Sequence, residues 1–217
     1  MSSDELKIRF CIEFLIDLQH NIIIFELTRK EWVESSSAPP TNQSLITICK
    51  YCLNLAQDHM GTWYIDWGYV QTYGQSPQHG FWKGLNSADN AYQKQGLGKL
   101  FWHLSVWAAS VLNIRREVLA AAPETRKWLK EYQDNAISNE FEVLVEKTSL
   151  SDGEVLTTEC LIPSSNLSKY ALNLANKQIK TITANLLKLE KERATEYHSR
   201  DVIPVSVMLH GVDKLYL

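Results

Sequence analysis

Cysteine is scarce, with four in 217 residues, too few for a disulfide scaffold in a chain of this length. A dominant charge is missing too. The formal net charge of -3, with 45% apolar and 22% charged residues, excludes wholesale disorder and a strongly basic nucleic-acid binder. No collagen-like or other internal repeat occurs. The longest weakly polar run, Leu100 to Leu112, is interrupted by His103 and Ser105 and falls short of the roughly 20 residues needed to span a bilayer. Met1-Ser2-Ser3-Asp4-Glu5 lacks the positive start and apolar stretch of a secretory signal. The expectation is a chain of the reducing cytoplasm with no membrane partner. No Walker loop, nucleophile elbow or zinc-protease motif is present. At roughly 150 residues per domain, the length suits one domain with an appendage.

What the chain does contain is alternation. From Leu6 to Leu18 every even position is apolar and most odd ones are polar, which predicts a strand. A turn at His20-Asn21 leads to a second strand, Ile22 to Thr28. Glu34 to Asn42, with three serines and Pro39-Pro40, reads as a loop. Ser44 can cap a helix to about His59, with Leu45, Ile48, Cys49, Cys52, Leu55 and Ala56 as its apolar stripe. Thr62 to Tyr73 reads as a strand, followed by a turn through Pro77 and Gly80 and a short strand over Phe81 to Leu85. Leu97 to Leu112 has helical period, Ile114 to Ala121 fits a strand or a helix, and Pro123 can open a helix to about Asp134. Phe141 to Thr148 and Val155 to Ile162 form a hairpin around Ser151-Asp152-Gly153. Ser164 or Ser165 can then cap a helix of more than about thirty residues, whose far end, Lys188 to Glu196, reads as solvated. Ile203, Val205, Val207 and Leu209 alternate as an edge strand, where Pro204 is tolerable.

Three constellations have ordinary explanations. Cys49-Lys50-Tyr51-Cys52 has CxxC spacing, but no second half of a zinc site follows, so packing in the core is expected. Arg193 and His198 have the Rx4H spacing that resembles the motif of HEPN ribonucleases, and a charged helix end accounts for both. Trp102 and Trp107 belong to a helix core, whereas Trp63, Trp67 and Trp82 flank strands and can line an acceptor cleft or simply pack.

The segment Asp89-Asn90-Ala91-Tyr92-Gln93-Lys94-Gln95-Gly96-Leu97-Gly98-Lys99-Leu100 sets glycines at the mouth of the apolar helix. First-turn amides lack intrahelical partners and the helix dipole adds partial positive charge, so phosphate oxygens suit this position. Gly96 and Gly98 permit close approach, and Lys94 and Lys99 add charge at the rim. The QxxGxG run, Gln93 to Gly98, resembles the pyrophosphate signature of the GNAT superfamily of acyl-CoA N-acetyltransferases. The likeness extends over roughly Thr62 to Ile162 and is strongest over Asp89 to Trp128. Leu97 to Leu112 is similar to the family's central helix, Asn113 to Ala121 to its next strand and Pro123 to Trp128 to its next helix.

The resemblance implies a mixed α/β fold, a GNAT-like central sheet with flanking helices, here with an N-terminal β-hairpin and a long C-terminal helix. It also implies an acyl-CoA cosubstrate, acetyl-CoA or another, held by Gln93, Lys94, Gln95, Gly96, Leu97, Gly98 and Lys99. The pantetheine would lie between two splayed strands, and the acyl group would pass directly to a small-molecule or protein amine. The family's tyrosine acid matches Leu129, with no Gly-Phe pair following; Tyr132, one helical turn on, can present a hydroxyl to the same face. Asp66, His79 and Asp89 are candidate bases. The expected organisation is an N-acyltransferase-like domain over 1–163 and a helical extension with a terminal strand over 164–217. The alternative is a non-enzymatic α+β interaction protein that uses the long helix for a homodimer or another partner; Ile114 to Ala121 would then continue the preceding helix.

Overall fold

In the computed structural model, which describes residues 5–17, 19–34, 44–72, 92, 94–119, 123–149, 155–197 and 205–210, β1 (Glu5–Asp17) follows the expected alternation. Its even side chains Ile8, Phe10 and Ile12 are buried. Asn21, in the left-handed region at φ 54°, closes the turn into β2 (Ile22–Glu34), where the His20 amide donates to Asp17 Oδ1. The strand runs six residues beyond Thr28 because its full length pairs with β1, Asp17 opposite Ile22 and Glu5 opposite Glu34.

The helix expected over Ser44 to His59 is instead a strand, β3 (Ser44–Gln57). It lies inside the sheet between β2 and β4 (Trp63–Thr72). Cys49, Tyr51 and Leu53 are buried with Ile48 in the main core, and Cys52 is buried as well. Opposite the single β2 step from Leu27 to Thr28, β3 advances from Cys49 to Thr47 with Ile48 as the extra residue; such a bulge breaks the period of two, so the apolar residues can be fitted to a helical stripe as readily as to a strand. The β-branched run Ile46-Thr47-Ile48 favours extension.

After β4 the chain enters α1 (Leu97–Val111), β5 (Arg115–Leu119) and α2 (Pro123–Asn135). The hairpin β6 (Val143–Ser149) and β7 (Val155–Leu161) follows, then the 33-residue α3 (Ser165–Tyr197) and β8 (Val205–His210). Ile114 to Ala121 thus contains a strand, and it does not prolong α1. The turn through Pro77 and the strand over Phe81 to Leu85 lie outside the described residues.

The eight strands form one mixed α/β sheet in the order β6-β7-β5-β4-β3-β2-β1-β8. The β4–β5 and β1–β8 pairs are parallel and the others antiparallel. Helix α1 packs its aromatic stripe on the sheet, Phe101 against Phe25 and Tyr51, and Trp107 against Phe14. Each such fully buried side chain contributes roughly 1.5–3 kcal/mol.

Ser164 Oγ accepts from the Leu167 amide and caps α3. Its buried stripe, Leu167, Ala171, Leu174, Ala175, Ile182 and Leu186, with the half-buried Ile179 between Ala175 and Ile182, follows the helical period, and α3 packs along α1. The far end is not wholly solvated as expected. Lys188, Lys191 and Glu192 are exposed, but Glu190 is 2% exposed, because it meets Arg29 of β2. No described helix is long and apolar enough to cross a membrane.

Candidate phosphate loop and strand fork

Gly96 caps α1 with φ 91° and ψ 7°, it has no side chain to accept from the first-turn amides, and that turn holds no acidic residue. The amides at this end therefore retain their capacity to donate. Their direction follows from the peptide planes. The Gln95 carbonyl accepts from Asn185 Nδ2 at 3.3 Å and the Gly96 carbonyl from Gln178 Nε2 at 3.4 Å, both donors on α3. In a trans peptide the N–H points opposite to the C=O, so the amides of Gly96 and Leu97 face away from α3.

The glycines have packing reasons of their own. A Cβ on Gly96 would lie 2.5 Å from Gln178 Nε2, and one on Gly98 3.4 Å from the Trp128 ring of α2. Lys94 is exposed, with φ 61°. Lys99 is half-buried, and its ammonium stands 3.2 Å from Glu131 Oε2. Leu97 is buried and contributes only its backbone to the loop. Gln93 lies outside the described residues.

The strands flanking this loop diverge. Strands β4 and β5 pair only at Tyr64 with Arg115 and Ile65 with Arg116, although β4 continues to Thr72 and β5 to Leu119. Beyond Arg116, β5 pairs with β7 on its other side. The fork thus opens toward the end of the sheet from which the chain leads to α1. Arg115 secures its closed end by pairing with Asp58 at 2.9 Å.

Tyr132 does not face the fork. Its ring is 0% exposed, packed edge-on to Trp102, Phe141 and Tyr170. Its hydroxyl shares a 2.8 Å hydrogen bond with His103 Nδ1. Burial pushes the phenol well above its ordinary range and, with Lys99 nearby, pushes the His103 imidazole down to about 3. This is a neutral pair inside the helical layer, closed to solvent. Leu129 is buried as well.

Of the candidate bases, Asp66 lies on β4, one residue past the last β4–β5 pair, and His79 and Asp89 lie outside the described residues, as do Trp82 and His198. Trp67 lies on β4 and Arg193 on α3. Trp63 is exposed, whereas Trp102 and Trp107 are core residues. Cys49 and Cys52 form no disulfide and are buried on a strand, where three-residue spacing puts them on opposite faces. Burial and the nearby Glu26 carboxylate push the Cys49 thiol up. Among the described residues no group of His, Cys, Asp and Glu is arranged to hold a metal.

Arg116, His103, Arg29 and Glu190 were not singled out by the sequence pattern, and Trp102 was read only as a core residue. One signal was available: adjacent strand residues point to opposite faces, so the pair Arg115-Arg116 in a strand flanked by two others requires one guanidinium inside. No protein-family model matches this chain, and no curated protein matches it in sequence.

Proposed function

We propose that this chain binds acyl-CoA and transfers the acyl group to an amine. The observation that carries the reading is the parallel β4–β5 pair, joined through a glycine-capped helix and open after two residue pairs. The glycine-capped end of α1 offers the amides around Gly96 to the pyrophosphate, with Lys94 and Lys99 at the rim. The fork offers a slot for the pantetheine arm. The closing β6–β7 hairpin beside β5 agrees with the resemblance read from the sequence.

In this reading the amine attacks the thioester carbonyl, a carbon–nitrogen bond forms, and the carbon–sulfur bond breaks as the thiolate takes a proton. Orientation of the two reactants and polarisation of the carbonyl supply much of the rate. The reaction also needs a proton acceptor and a proton donor. Tyr132 would have to leave its enclosure with His103 to act as the donor. The long helix, read alternatively as a partner surface, already spends its apolar stripe on α1.

Calorimetric titration of the full chain with coenzyme A and with acetyl-CoA tests the binding step. Saturable heat and a raised thermal midpoint are expected. No heat and no thermal protection at millimolar ligand would remove the acyltransferase reading.

A further inference from the structure

Arg116 stands at the last β4–β5 pair and is 4% exposed. Its Nη1 donates to the Ile65 carbonyl at 3.2 Å and to the Glu117 carbonyl at 2.9 Å. Its guanidinium carbon lies 5.2 Å from the centre of the Trp102 ring. The neighbouring acids are committed elsewhere, since Asp58 and Glu117 both pair with Arg115. Among the described residues, no carboxylate neutralises Arg116.

Two donors in this stack are buried without a hydrogen-bond partner, Arg116 Nε and Trp102 Nε1. Buried donors are almost always satisfied, and a buried charge is ordinarily paired. Two vacant donors beside an uncompensated cation, where two strands part, are the complement of an anion. A guanidinium N–H and an indole N–H match the two oxygens of a carboxylate, and one cation balances one negative charge. A phosphate dianion would leave a charge over.

We propose that the fork holds a small carboxylate-bearing molecule, whose carboxylate accepts from Arg116 Nε and Trp102 Nε1. The acceptor class follows only through the acyltransferase reading, on which it rests: an amine that also bears a carboxylate, such as an amino acid. The carboxylate site itself does not depend on that reading. Arg116 anchors the molecule.

The test follows the Trp102 indole N–H resonance of the full-length protein, identified by its loss in Trp102→Phe. Acetate, acetamide and inorganic phosphate serve as probes. Acetate is expected to shift that resonance saturably, acetamide to leave it in place, and Arg116→Lys to raise the half-saturating acetate concentration at least about tenfold. The proposal is overturned by no saturable shift with acetate, by an equal response to acetamide, or by a preference for phosphate. An unchanged response in Arg116→Lys would also overturn it. If that variant fails to fold, the acetate and acetamide comparison on the unaltered chain decides alone. Coenzyme A titrated in parallel separates the two ideas: coenzyme A binding without an acetate response refutes the carboxylate site alone, and an acetate response without coenzyme A binding refutes the acyltransferase reading alone.

Discussion

Glu190 is the position where a one-atom change should cost the fold most. Its carboxylate receives Arg29 Nε at 3.1 Å on one oxygen and Nη2 at 2.9 Å on the other, while the Tyr92 hydroxyl donates at 2.7 Å. The Arg29 and Glu190 side chains are 6% and 2% exposed. Glu190→Gln keeps the shape but takes from the buried Arg29 cation the carboxylate that its Nε and Nη2 both hold, a loss of about 3–5 kcal/mol for a buried pair broken on one side. Tyr92→Phe removes one hydrogen bond to a charged acceptor and should cost about 1.5–3 kcal/mol. Replacing both charged partners, Arg29→Met with Glu190→Met, removes the attraction and the desolvation penalty together. That pair should lie near the unaltered protein, well above either single charge deletion. Urea denaturation at neutral pH, with the slope checked for constancy, gives all four values. If Glu190→Gln stays within about 0.5 kcal/mol of the parent, or the double replacement is no better than the worse single one, this account of the buried charge is wrong.

Other expectations concern the helical layer and the loop. The folded protein keeps His103 neutral down to about 3, against an ordinary value of 6.5, so the unfolded chain takes up this proton first as pH falls. Its contribution to stability is intact above pH 6.5 and declines toward pH 3. His103→Gln should flatten that limb of the urea midpoint against pH, and an unaltered slope would contradict the assignment. Tyr132→Phe should lower stability by about 1 kcal/mol through the bond lost to His103 while leaving coenzyme A affinity unchanged; a large loss of affinity would point to a role at the ligand. Gly96→Ala must adopt positive φ, costing about 1–2 kcal/mol, and must also displace Gln178. Repeating it on a Gln178→Ala background should recover only the steric part in thermal midpoints.

Where burial is one-sided, the architecture could be read directly from the chain. β1 and β2 alternate because one face meets helices, whereas α1, buried on every side from Leu100 to Ala109, shows itself by its helical period and the glycines at its mouth. β3 hid because the extra residue Ile48, opposite the β2 step from Leu27 to Thr28, is buried next to Cys49, which breaks the period of two. The glycine loop was readable as a helix mouth, yet that Gly96 also admits Gln178 depends on a residue 82 positions away. Arg29 and Glu190 are 161 residues apart, and no local pattern marks two charges as mutual partners. Tyr132 looked available because helical spacing sets a face without saying what covers it, and Phe141 and Tyr170 cover it.

Strand β8 lies parallel to β1, with Leu6 opposite Val205 and Cys11 opposite His210. β1 is therefore partnered on that side by the strand that comes last among those described. Until synthesis reaches residue 210, the outer edge of β1 carries unsatisfied ladder groups that can recruit a strand from another nascent chain. Closing so distant a pairing pays its loop entropy late, which slows folding and lengthens that exposure.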